Sequence, residues 1–177
     1  TNIARDKRDL VTRHANARRP EEVPGPDREI LEQFIAEARQ RMLAASLDER
    51  ARLSAEYNGL ACLWGNAPDP QDQHWLIATD TWLGQQTAGI LETVLGNQAQ
   101  TKRIPDLRTQ DLQAFRLAMA ALVRLCAEEI KPLGMKVVFN LTGGFKSVQG
   151  FMQALGMLYA DEAIYVFEGG RELLRLP

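Results

Sequence analysis

Apolar positions recur along this chain at two periods, one helical and one of short continuous runs, and their alternation predicts an α/β fold. Residues 6–17 put Leu10, Val11 and Ala15 on one side of a short helix. Residues 19–26 contain three prolines and a glycine and predict a loop. Asp27 has the side chain of a helix cap, and beyond it Leu31, Ile35, Ala38 and Met42 step by four, three and four. Ser46 and Glu49 have capping-box spacing and predict a further helix through Leu53, Tyr57, Leu60 and Trp64, closed by the Gly- and Pro-bearing stretch 65–70. The helices over about 27–65 are predicted to form a hairpin elaboration on the main body.

The remainder alternates strand and helix. Residues 74–81 read as a strand, apolar in the middle and polar at its carboxyl end, followed by a helix over 84–95 carrying Ala88, Leu91 and Leu95. A weak strand is predicted at 101–104. A long amphipathic helix over 109–129 carries Leu112, Phe115, Met119, Leu122, Val123 and Cys126, and Pro132 and Gly134 stop it. Val137, Val138 and Phe139 read as a buried strand. Asn140-Leu141-Thr142-Gly143-Gly144 breaks it, and Val148, Phe151, Met152, Leu155 and Leu158 then recur at helical spacing. Strands at 163–167 and 172–176 finish the chain. This order predicts a Rossmann-like, mostly parallel sheet flanked by helices.

At 177 residues, 45% hydrophobic and 25% charged, the chain can bury a core as one domain over 1–177. No apolar run reaches the roughly 18 residues of a membrane span, and no signal peptide is visible. Cys62 and Cys126 both fall in helical apolar patterns, as expected of buried thiols in a reducing, cytoplasmic compartment. A net charge of −2 argues against a general binder of long nucleic acids. Residues 1–19, however, carry six cationic residues against two acidic ones, a net of +4. That run reads either as a solvated helix face or as attraction for a polyanion.

Two strand ends carry candidate chemistry, and a parallel sheet is expected to bring them to one edge. Thr79, Asp80 and Thr81 end the 74–81 strand. Asn140, Thr142, Gly143 and Gly144 end the Val137–Phe139 run, with Phe145 and Lys146 beside the turn. Open α/β sheets bind ligands at the carboxyl ends of their strands, and a helix start there favours anions. The pattern points to a phosphate or nucleotide site. Two alternatives stand beside it: the glycines make a tight turn only, and Asp80 caps the following helix. His14 and His74 lie far apart with no Cys or carboxylate at metal-ligand spacing, so no metal is expected. There is no Walker loop, no Gly-x-Gly-x-x-Gly and no Gly-x-Ser-x-Gly. Glu168, just past a strand, is a weak general-base candidate. Trp64, Trp75 and Trp82 serve as stacking platforms or as core.

With these residues in view, the chain resembles a CARF domain, the CRISPR-associated Rossmann-fold sensor of cyclic oligoadenylates, in the form with Thr-Gly-Gly-Phe-Lys after a central strand. Ser54-Ala55-Glu56-Tyr57-Asn58-Gly59-Leu60, the 76–81 segment, Asn140 through Lys146, and 155–168 carry the resemblance in order. It implies a two-fold homodimer that binds cyclic oligoadenylate, commonly cyclic tetra-adenylate, without any cofactor and with no long nucleic acid as partner. Thr142, Gly143, Gly144 and Lys146 would hold phosphate and ribose. Thr79, Asp80 and Thr81 would meet base or sugar. In relatives that cleave the ring without a metal, a ribose 2′-hydroxyl attacks the adjoining phosphate while a lysine stabilises charge, here Lys146. The family begins with a strand ending in a Gly-Thr-Ser type turn, and Thr1-Asn2 resemble the residues directly after it. Asn2 thereby joins the expected ligand set, and that first strand is expected upstream. An effector, whether nuclease, other enzyme or membrane segment, is expected outside this chain.

Overall fold

A computed structural model describes residues 5–65, 67–108, 111–143, 146–167 and 169–176, with backbone alone at Arg5, Asp6, Lys146 and Ser147. The fold is α/β and consistent with a Rossmann-like arrangement, built from a two-stranded parallel sheet and a three-stranded mixed sheet among the described residues. The chain divides into two compact units, Thr1–Ala45 with Gln71–Ala118, and Ser46–Pro70 with Met119–Pro177.

In the first unit, helix α1 (Arg5–Arg13) leads through a short 3-10 turn to α2 (Gly25–Ala44). Asp27 does not cap α2. The N-cap position is Pro24, and Asp27 in the first turn binds His14 Nε2 at 2.7 Å instead. Strand β1 (His74–Ala78) pairs in parallel with β2 (Ala99–Arg103), from His74 opposite Ala99 to Ala78 opposite Arg103. Helix α5 (Trp82–Leu95) connects them and packs on both. The strand at 101–104 reads as weak because β2 is polar, and its polar atoms are answered locally. Thr101 gives its N–H and its hydroxyl to Glu92 of α5 at 3.3 and 2.7 Å, and Lys102 Nζ lies 4.5 Å from the Trp75 ring centre. The core gathers Leu10, Val23, Leu31 and Trp82, so Trp82 is core rather than a stacking platform.

In the second unit, the capping box at Ser46 and Glu49 forms as expected and opens α3 (Leu47–Leu53). The helix does not continue to Trp64. Ser54 turns to extended backbone (φ −133°, ψ 129°), and its hydroxyl accepts Tyr57 N–H to cap a separate α4 (Ala55–Trp64). The elaboration predicted over 27–65 is therefore divided, with α2 in the first unit and the packed pair α3 and α4 in the second. Gly65 ends α4 at φ 66°, where a side chain would be strained. Tyr57 and Trp64 meet edge to face.

Helix α6 (Leu112–Arg124) crosses the division between the units and runs on as a π-helical turn, Leu125–Ile130, where one α-helix had been expected. Strand β3 (Val138–Asn140) pairs in parallel with β4 (Glu162–Val166), and β4 pairs antiparallel with β5 (Leu173–Leu176). Helix α4 packs on all three strands, and α7 (Lys146–Tyr159) packs on β3 and β4. Ile164 and Leu122 are fully buried. Both cysteines are free, Cys126 buried and Cys62 only half-buried, its thiol reaching the Arg171 carbonyl at 3.4 Å. Burial raises the Cys126 thiol pKa above its ordinary value. Among the described residues no helix is long and apolar enough to cross a membrane.

Candidate functional site

The first strand end follows β1. Asp80 and Thr81 are buried there, the only polar side chains in the described core. Thr81, not Asp80, caps α5. Its hydroxyl accepts Gly84 N–H at 3.1 Å and lies 2.9 Å from Thr79 Oγ1. A Cβ at Gly84 would collide with Thr79 Oγ1, so the two hydroxyls occupy the space that glycine leaves.

Asp80 is the centre of an ion cluster. Its Oδ2 accepts from Arg18 Nη2 at 2.8 Å and from the Asp106 backbone N–H at 3.1 Å, and its Oδ1 accepts from Arg103 Nε at 2.6 Å. Register explains Arg103: pairing Ala78 with Arg103 delivers it to the strand end where Asp80 waits. Burial works to raise the Asp80 pKa. The Asp106 N–H and the charges of Arg103 and Arg18 outweigh burial, and the carboxyl is held below its ordinary value. Arg18 Nη2 also binds Asp106 Oδ1, which Arg108 Nη2 approaches at 3.5 Å. Gln85, with its amide oxygen turned to the guanidinium, accepts from Arg103 Nε and Nη2 at 2.8 Å. Three arginines thus surround two aspartates. Among the described residues, the Nε–H groups of Arg18 and Arg108 are buried and meet no acceptor.

The second strand end follows β3 and is assembled from neutral groups. Leu141 N–H donates to the Ile164 carbonyl at 2.8 Å, extending the parallel ladder. Asn140 donates through Nδ2 to the Glu56 carbonyl at 2.8 Å, and its Oδ1 accepts Thr142 N–H at 3.1 Å. Thr142 Oγ1 accepts Val166 N–H at 3.2 Å. A Cβ on Gly143 would collide with the Glu56 side chain, which is held by Ser54 Oγ at 2.8 Å. The turn is therefore packed against a carboxylate, and the Thr142 hydroxyl serves it as an acceptor.

The expected residues divide accordingly. Thr79, Asp80 and Thr81 sit together at the first strand end, and Asn140, Thr142 and Gly143 at the second, in different units. Asn2, Gly144, Phe145 and the weak candidate Glu168 lie outside the described residues, as does the side chain of Lys146, whose backbone opens α7. His74 is half-buried at the start of β1. Burial depresses its pKa against the raising effect of Asp72. Sequence reasoning missed Arg103, Asp106, Arg108 and Glu56. For Arg18 the only signal was the basic run, whose charges are in part used internally: Lys7 pairs with Glu37, Arg13 with Asp27 and Arg18 with Asp80. Among the described residues no group of His, Cys, Asp and Glu is disposed to hold a metal.

A family model described as CRISPR-associated protein (Cas_APE2256) matches residues 51–177, more than two thirds of the chain. No curated protein matches the sequence.

Proposed function

The chain belongs to the family described as CRISPR-associated protein (Cas_APE2256), and within it we propose a sensor domain that binds a cyclic oligoadenylate, in the first instance cyclic tetra-adenylate, as a homodimer. The observation that carries this reading is the turn after β3. Thr142 and Gly143 follow a parallel strand directly and precede the first turn of α7, the place where backbone N–H groups and a helix start favour phosphate. A ring of two-fold symmetry repeats the same contacts on each protomer of a two-fold dimer. Thr142, Gly143, Gly144 and Lys146 hold phosphate and ribose, and bound ring is passed as a signal to an effector outside this chain.

Cleavage of the ring is the second reading, favoured by one observation. The Glu56 carboxylate lies against Gly143, a proton acceptor beside the turn. Incubation with labelled cyclic tetra-adenylate, followed by chromatography of the recovered nucleotide, separates the two. A sensor returns the ring intact, whereas a ring nuclease returns linear adenylates with 2′,3′-cyclic phosphate ends. Lys146→Ala should weaken binding about tenfold with the fold intact. Unchanged affinity would remove Lys146 from the site.

A further inference from the structure

We propose that Arg18 and Arg108 form a phosphate-oxyanion site at the carboxyl end of β1 and β2, and that Asp106 holds its place until an anion arrives. The two guanidiniums converge on one atom, Asp106 Oδ1, although each offers a planar fork suited to two oxygens. Their Nε–H groups, buried and without an acceptor among the described residues, are the unused half of each fork. The surrounding charge is three arginines against two aspartates, so the cluster retains one positive charge.

The two aspartates are not equivalent. Asp80 is 11% exposed at its side chain and holds Arg103 as well as the Asp106 N–H. Asp106 is 36% exposed at its side chain and sits at φ 60°, a left-handed conformation uncommon outside glycine. Asp80 is thus a positioning residue, and Asp106 is the carboxylate an incoming anion can replace. A phosphate oxyanion supplies more acceptors than the one carboxylate oxygen it displaces, so each guanidinium can turn and engage Nε and Nη together. The location fits, since open α/β sheets take ligands outside the carboxyl ends of their parallel strands. The chemistry is that of a phosphate group, whether of the cyclic oligoadenylate proposed above or of a free phosphate compound.

The test titrates the full chain, as wild type, Asp106→Asn, Arg108→Gln and Arg18→Gln, with inorganic pyrophosphate at low salt. Removing the competing carboxylate should tighten binding about two- to fivefold. Losing either arginine should weaken it about tenfold and flatten its salt dependence. This opposition of sign is what a merely structural role would not produce. The proposal is overturned if the wild type binds no pyrophosphate, or if Asp106→Asn and the arginine variants shift affinity in the same direction or not at all. A second arm repeats the series with cyclic tetra-adenylate. If the ring follows the same order and displaces pyrophosphate, its phosphodiester is the ligand group. If pyrophosphate alone follows the order, the site serves a free phosphate. Wild type that binds pyrophosphate but not the ring leaves the anion site standing and removes the functional reading.

Discussion

The two strand ends read alike in sequence and are built by opposite means. After β1, a buried carboxylate is satisfied by two guanidiniums and a backbone N–H, so order there depends on charge. After β3, Asn140 and Thr142 bind backbone groups and each other through neutral hydrogen bonds, and the Glu56 carboxylate beside the turn is tied to Ser54. The contrast teaches that a polar strand end does not by itself announce a ligand contact. At the first end the short polar side chains are consumed in holding arginines and a helix cap. At the second they are consumed in shaping a turn, and the groups left to meet a ligand are the turn's own.

The largest effect expected from breaking this contrast is at Asp80. Asp80→Asn should destabilise the protein by about 2 kcal/mol at neutral pH in urea unfolding, less than a fully buried pair because Arg18 and Arg103 are each about two fifths exposed. The folded-state pKa of Asp80 lies below its ordinary 3.8. Its stabilisation is therefore present above that value and lost as pH falls below it, and the gap between wild type and variant should close in acid. A gap unchanged down to pH 2 would contradict the charge-based account. Asn140→Ala comes next, at about 1.5 kcal/mol, because it strands the Thr142 N–H and removes the tie from β3 to the Glu56 carbonyl of α4. Its cost should be flat from pH 6 to 8, and a marked slope there would mean that the neutral bonds of the turn are coupled to a charge.

The adjacent glycines sharpen the comparison on a smaller scale. Gly84→Ala should cost about 1 kcal/mol, since the added methyl meets the stiff, β-branched Thr79 and disturbs the Thr81 cap. Gly143→Ala should cost less, because the atoms it meets belong to the long Glu56 side chain, which can swing aside. Equal costs would show Glu56 to be as fixed as Thr79. Smallest is the response to salt. At 1 M NaCl, hydrogen exchange should show the Ile104 and Leu107 amides losing a few tenths of a kcal/mol of protection, with Leu141 and Val166 unmoved.

The alternation of strand and helix was legible because each element carries its own period, and the β3, turn, α7 succession stands almost where the pattern puts it. The break at Ser54 was not, since Leu53, Tyr57 and Leu60 keep helical spacing across it while Ser54 caps a new helix. Strand β2 was legible only faintly, because its polar residues are answered by Glu92 and Trp75, partners that tertiary structure supplies. Of the candidate site, the positions of Thr142 and Gly143 could be read from local grammar. The partners of Asp80 could not, because Arg18 lies 62 residues away and Arg103 reaches it only through strand register. Glu56, in turn, meets the turn through packing of α4 on the sheet.

The most direct measurement is calorimetric titration of the wild-type chain with cyclic tetra-adenylate, under conditions where hydrogen exchange shows both units folded. A sensor of this ring takes up one ring per two chains. No heat and no bound ring in a folded protein would contradict the assignment.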